Sequence, residues 1–261
     1  MIAIRAGCAL TPLRTIHPVH ILIDRGQIVA IGLPPQVPIP EHADVVTVEN
    51  LTVVPGFVDT HTHGRDGVYF GEDVASTLNV CRSVVATGVT SLLPTLAALR
   101  PVRDSLAEIL AQTGKVRQAM QMDSDGAEIV GIHLEGPYLS GMDSVKGSQR
   151  VENLRRPSLD ELRRMVDVAE GHIRKISIAP ELDGALALIG TMSRLGIVAC
   201  AAHSAASYEQ TIAAVDVGLR CAAHVFNGMP PMHHRRPGLL GAILTDDRIH
   251  AELIADGQHV S

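Results

Sequence analysis

His61 and His63 close the stretch GFVDTHTHG, which runs from Gly56 to Gly64. On a β-strand alternate side chains share a face, so the two imidazoles, with Asp59 behind them, can aim at one point. That is metal-ligand spacing, since neutral imidazoles offer a nitrogen lone pair suited to Zn, Fe, Ni or Cu. With 13 histidines in the chain, a chance pair on a polar strand end is the alternative. Further groups weigh against chance. In GIHLEGPY, Glu135 follows an apolar run and precedes a Gly-Pro turn, where a carboxylate can bind or bridge cations and cancel their charge. The alternative there is an exposed turn acid.

VACAAHSAAS and CAAHVFNGM each place a cysteine three residues before a histidine, with small residues between. His203 and His224 are therefore expected at equivalent heights on neighbouring strands, facing one interior. Cys200 and Cys221, at odd offset from them, are expected to face outer helices, which argues against thiolate ligation. One such histidine could be a satisfied core residue. Two matched ones, with Glu135, His61 and His63, favour a metal site. His133, two residues before Glu135 on the same face, is expected to lie deeper, packing or supporting the ligands. Downstream, Asn227 and Gly228 share a loop with Arg235 and Arg236. An accessible backbone N–H, an amide and a guanidinium fork suit an anion such as phosphate, a solvated basic loop being the bland reading. His233 and His234 read as loop surface.

With Asp256 and His259 of ADGQH added, five separate segments must carry such groups to one place. From Met1 to about Val54 the pattern is short β-rich runs broken by Gly and by LPPQVPIP, a small β unit of sandwich type over residues 1–54. After Pro55, over residues 55–261, apolar strands alternate with amphipathic stretches, the signature of βα units around a parallel sheet. Seven strands are expected: GFVDTHTH, VTSLLPTL, EIVGIHLEG, KISIAPEL, GIVACAAHS, LRCAAHVFNG and IHAELIADGQH. Helices are expected around Val74–Thr87, Pro101–Met120, Ser158–Glu170, Gly184–Leu195, Ala205–Val217 and Gly238–Asp246. Ser158 with Glu161 reads as a capping box, and Gly171 as the helix stop. Every unusual polar group sits at a strand's C-terminal end, and in a parallel α/β barrel those ends converge on one mouth.

At 261 residues the chain matches a single barrel, a fold that often takes about 250 residues. The formal net charge of −6 provides no basic field for nucleic acid or anionic lipid, so neither is an expected partner. No signal pattern and no membrane-length apolar run stands out, which reads as cytoplasmic. The four cysteines are scattered without a C-x-x-C pair, as reduced thiols would be.

With these residues in hand, the chain resembles the amidohydrolase superfamily and within it the N-acetylglucosamine-6-phosphate deacetylase family. The pieces that carry the resemblance are PGFVDTHTHG, HLEGPY, AAHSAAS, HVFNGMPP followed by RRPG, and ADGQHV, in the family's order. The resemblance implies an α/β, TIM-type (β/α)8 metal-dependent hydrolase barrel with a small N-terminal β unit. It implies a divalent metal, zinc first with iron, cobalt or manganese as alternatives, as one or two ions. Glu135, His203 and His224 would be the principal ligands, with His61 and His63 completing a second site. Asn227, Gly228 and Arg235 would hold a sugar phosphate, Arg235 reaching a neighbouring subunit of a homodimer, and His259 would contact substrate.

Three departures mark this sequence. The family places a proton-shuttling aspartate at the end of an eighth strand, whereas this sequence ends at Ser261 after the seventh, so the barrel is expected to be truncated and the catalytic acid–base unassigned. Asp256 belongs to the seventh-strand motif and does not inherit that role. Where the family reads KGAH, this chain has KGSQ, putting Gln149 in place of a substrate-contacting histidine. Arg236 replaces the acid of REPG. The implied reaction is hydrolysis of the acetamide of N-acetyl-D-glucosamine 6-phosphate to glucosamine 6-phosphate and acetate. The alternatives are the galactosamine epimer, another amidohydrolase reaction, or a catalytically silent barrel.

Overall fold

The computed structural model describes residues 1–261, whose contacts divide into two units, Met1–Phe57 and Val58–Ser261. In the first, β1 (Ile2–Leu10) pairs antiparallel with β2 (Thr15–Ile16) and β3 (Val19–Asp24), β3 with β4 (Gln27–Gly32), and β5 (Asp44–Val53) lies parallel to β1. Period-two alternation gives this sheet two apolar faces: Ala6, Val19 and Ile21 cluster on one, Ala3, Leu22 and Val37 on the other.

The second unit is a curled parallel sheet of seven strands in half-barrel form, following chain order. It opens with β6 (Phe57–Thr62), the small hairpin of β7 (Gly64–Arg65) and β8 (Val68–Tyr69), then α1 (Val74–Val84) and β9 (Val89–Leu96). After α2 (Ser105–Ala119), the expected EIVGIHLEG strand forms in two pieces, β10 (Glu128–Ile129) and β11 (Ile132–Glu135), both paired with β9. The break falls at Gly131, where a Cβ would lie 2.2 Å from the Arg174 side chain. Then come α3 (Leu159–Ala169), β12 (Ile173–Ile178), α4 (Ala185–Arg194), β13 (Val198–Ala201), α5 (Tyr208–Asp216), β14 (Leu219–Ala222), α6 (Gly238–Thr245) and β15 (His250–Ala251). All seven expected strands and all six helices are present.

Short polar caps start four of the six helices, α1, α2, α3 and α5. Asp73 and Asp104 accept the first free N–H groups of α1 and α2, and Ser158 accepts Glu161 N–H at the start of α3. The box expected at Ser158 is half made, because the Glu161 carboxylate is taken by Arg155 and Tyr138. The complete box belongs to α5, between Ser207 and Gln210. Helix α3 closes with Glu170 in the left-handed region, φ 47°, ahead of Gly171.

Apolar residues on the outward faces of β9 to β14 pack under the helices. Leu92, Ile132, Leu134, Ile176, Ala199, Ala201 and Ala222 share one cluster with Leu106, Ile109, Leu162, Met165 and Leu188. Truncating Ile176, fully buried there, removes transfer energy and leaves a cavity. Ile176→Ala is expected to cost about 2–5 kcal/mol, read as a lowered urea midpoint at unchanged slope.

Candidate metal centre

Glu135 ends β11 with its side chain almost fully buried, and four imidazoles converge on it. Oε1 lies 3.2 Å from His61 Nε2, 3.4 Å from His203 Nε2 and 3.3 Å from His224 Nε2; Oε2 lies 3.1 Å from His63 Nε2. Gln149 donates its Nε2–H to Oε2 at 2.8 Å. Two candidate ligand groups result, His61–His63–Glu135 and Glu135–His203–His224, sharing the carboxylate.

All four rings present Nε2 to Glu135, so each must be held at Nδ1. Three are held by backbone carbonyls: His63 by Thr95 O at 3.2 Å, His203 by Val145 O at 2.9 Å, His224 by Asn227 O at 2.9 Å. His61 Nδ1 instead faces a carboxylate, Glu252 Oε2, at 3.6 Å. An Nδ1–H directed at an oxygen leaves the Nε2 lone pair free for an ion.

The paired strands carry His203 and His224 to matching heights, since Cys200 is in register with Cys221 and Ala201 with Ala222. The expected orientation of the cysteines is overturned. Cys200 and Cys221 sit on the inner face with Leu139, Ala202 and Ala223, while Ala199, Ala201 and Ala222 face the helices. Strict alternation would then send both histidines outward. They reach the interior because each leaves the strand with positive φ, 44° at His203 and 36° at His224. This left-handed turn reverses the side-chain direction, at an order of 1–3 kcal/mol per non-glycine residue. Burial pushes the Cys200 thiol well above its ordinary range, with Cys221 beside it adding to the effect.

Burial opposes charge on Glu135, His61 and His203, yet their contacts outweigh it. Burial would raise the Glu135 pKa, but hydrogen bonds from His203, His224, His61 and His63 hold it well below the carboxylate range. Burial would lower His61, but the Glu135 and Glu252 carboxylates facing its two ring nitrogens raise it to about 9. His203 is raised by the same balance of burial against Glu135. A proton on His61 or His203 and a divalent cation would compete for the same nitrogen. One carboxylate and four oriented imidazoles form a donor set that fits a borderline divalent ion.

His133 takes no part as a ligand. Fully buried, it lies between Thr95 Oγ1 at 3.0 Å and Ser177 Oγ at 2.9 Å, and burial depresses its pKa. Asp59 uses Oδ1 to accept the His61 backbone N–H at 3.0 Å. Gly228 lies against His203: at φ 64°, a Cβ there would sit 2.9 Å from His203 Nδ1 and 3.1 Å from Val145 O. The Asn227 side-chain Nδ2 is buried without a partner. Arg235 and Arg236 lie on the exposed β14–α6 loop, with the Arg235 N–H donating to His233 Nδ1. His259 is exposed and 2.8 Å from Asp256 Oδ2. No hydrogen bond or ion pair joins Arg235 or His259 to the Glu135 cluster. A cavity of about 510 Å³ opens beside His63, lined by Thr95, Ala97, Arg100 and Lys115 among others.

Sequence reasoning missed Glu252, Lys175 and Thr60. The buried Lys175 Nζ lies 2.6 Å from Glu252 Oε1, which also accepts the Thr60 hydroxyl at 2.9 Å. The lysine that opens KISIAPEL and the first of the two acids in AELIADG were the available signals.

Residues 52–261 match the profile of the amidohydrolase family. The N-acetylgalactosamine-6-phosphate deacetylase of Escherichia coli O157:H7 is 38% identical over 79% of this chain and 53% of its own length. The N-acetylglucosamine-6-phosphate deacetylase of Vibrio furnissii is 35% identical over 84% of this chain and 53% of its own. This chain thus spans about half the length of the curated relatives it matches. The structure of a mutant N-acetyl-D-glucosamine-6-phosphate deacetylase from Mycobacterium smegmatis, in complex with N-acetyl-D-glucosamine-6-phosphate, superposes with TM-score 0.86 at 35% identity, covering all of this chain and 65% of that one.

Metal analysis after dialysis is expected to show the ion held by Glu135, His203 and His224 lost in Glu135→Ala, His203→Ala and His224→Ala. Affinity should fall about tenfold or more in Gly228→Ala, whose added carbon displaces His203. Unchanged stoichiometry in all three ligand variants contradicts the assignment.

Proposed function

Because the chain belongs to the amidohydrolase family, we propose that its Glu135 centre serves metal-dependent hydrolysis of the acetamide of an N-acetylhexosamine 6-phosphate, the gluco epimer first, releasing acetate and the amino sugar phosphate. The observation that carries the reading is the convergence of four Nε2 atoms on one buried carboxylate. Glu135, His203 and His224 hold the principal ion, and His61 and His63 with Glu135 hold a second, zinc being the first choice. When bound, a divalent ion supplies Lewis acidity, drawing the pKa of a water down to about 7 and polarising a carbonyl.

The chain's own residues bind and orient. Glu135 is held ionised by its imidazole partners, so it serves as a ligand and not as the acid that protonates the leaving amine. Gln149, at the Glu135 carboxylate, is a neutral donor that can direct a substrate oxygen but cannot release a proton, unlike the histidine it replaces. The unpartnered Asn227 amide and the Gly228 backbone supply donors for an anionic oxygen near His203 and His224, and Arg235 supplies the charge, in a homodimer from across the subunit boundary. His259 contacts the sugar. A charged sugar phosphate does not cross bilayers, which fits a cytoplasmic enzyme, and no helix is long and apolar enough to cross a membrane.

The galacto epimer is the second reading, favoured by the 38% identity to the E. coli protein. Parallel assays on gluco and galacto substrates, each with and without the 6-phosphate, separate the cases. Turnover is expected to require the phosphate, and Arg235→Ala should raise KM about 10–100-fold at nearly constant kcat, the worth of a charged hydrogen bond. Equal rates on phosphorylated and unphosphorylated sugars remove Arg235 from this role.

A further inference from the structure

Of the four imidazoles facing Glu135, three have Nδ1 held by main-chain carbonyls and one does not. His61 Nδ1 faces Glu252 Oε2, an oxygen that is buried and makes no hydrogen bond. The other oxygen of Glu252 is fixed by Lys175 and Thr60, at 2.6 and 2.9 Å. We infer that Glu252, clamped by Lys175 and Thr60, is the positioning residue that orients His61 and sets the affinity of the ion position formed by His61, His63 and Glu135. The inference rests on the proposed metal reading of those three ligands.

The geometry distinguishes this position from its neighbours. A backbone carbonyl is neutral and fixed by the strand it belongs to, whereas a carboxylate carries charge and makes the imidazole it faces a stronger donor. That carboxylate needs its own anchor and a counter-charge, because a lone buried anion is costly. Lys175, side chain 4% exposed, supplies both from β12, 77 residues away in sequence. The same placement argues against the other local grouping, Cys200–Cys221–Glu252, as an ion site. An ammonium at 2.6 Å from Glu252 already neutralises the one anionic donor of that group, and both thiols are buried beside it.

The test titrates the metal-free full chain with zinc against a chromophoric chelator, with the imidazole ¹⁵N spectrum of the zinc-loaded protein reporting the His61 tautomer. Wild type is expected to take two ions, with His61 protonated at Nδ1 and ligated through Nε2. Glu252→Gln should weaken one ion about 10–100-fold and disturb the His61 signals, leaving the other ion within about threefold. Lys175→Met should shift the same ion in the same direction, and Thr60→Val, a mild change, should shift it by less. Two ions of unaltered affinity in Glu252→Gln, or in Thr60→Val and Lys175→Met should Glu252→Gln not fold, overturn the inference. A wild type that takes only the ion of His203 and His224 overturns it while leaving the principal site intact; a wild type that takes none overturns the metal reading with it.

Discussion

Four imidazoles can share one buried carboxylate only if each ring is turned so that its Nε2 points inward, and that constraint governs the second unit. Turning a ring requires an oxygen at its Nδ1, and the fold delivers four from distant segments: Thr95 from β9, Val145 and Asn227 from the loops after β11 and β14, and Glu252 just past β15. A seven-stranded parallel sheet in chain order does this economically, because the C-terminal ends of its strands open on one mouth.

The two histidines at positive φ reveal how the cluster and the strand interior are reconciled. Cys200, Ala202, Cys221 and Ala223 fill the inner face with small volumes, and a regular strand would next send position 203 or 224 outward. The left-handed turn at each histidine brings the ring back inside, and Gly147 and Gly228, themselves at positive φ, leave room for the His203 ring. Backbone strain and small neighbours therefore belong to the same device. A larger residue at 228 meets both the ring and the carbonyl that holds it.

How much of this was legible in the sequence follows from what each feature depends on. The strands and the five ligand candidates were legible because a polar residue closing an apolar run is a local pattern, and five such endings in a βα rhythm point at one mouth. Gln149 was found through the KGSQ departure, and its bond to Glu135 is a contact across 14 residues. The cysteine orientation was misread because alternation holds only for extended backbone, and no residue type announces a left-handed histidine. Glu252 and Lys175 escaped because neither closes an apolar run: Glu252 lies inside one, and Lys175 sits beside Arg174 at the start of its strand, the look of a solvent-facing position. The carbonyls of Thr95, Val145 and Asn227 are main-chain atoms, so no side-chain identity could disclose them.

The central claim is that imidazole nitrogens and a carboxylate, and not the nearby thiols, form the ion site. X-ray absorption at the zinc edge of the zinc-loaded protein measures this directly. The account predicts a shell of nitrogen and oxygen at about 2.0–2.2 Å with imidazole scattering beyond it, and no sulfur. A sulfur shell at about 2.3 Å would place the ion on Cys200 and Cys221 and contradict the account.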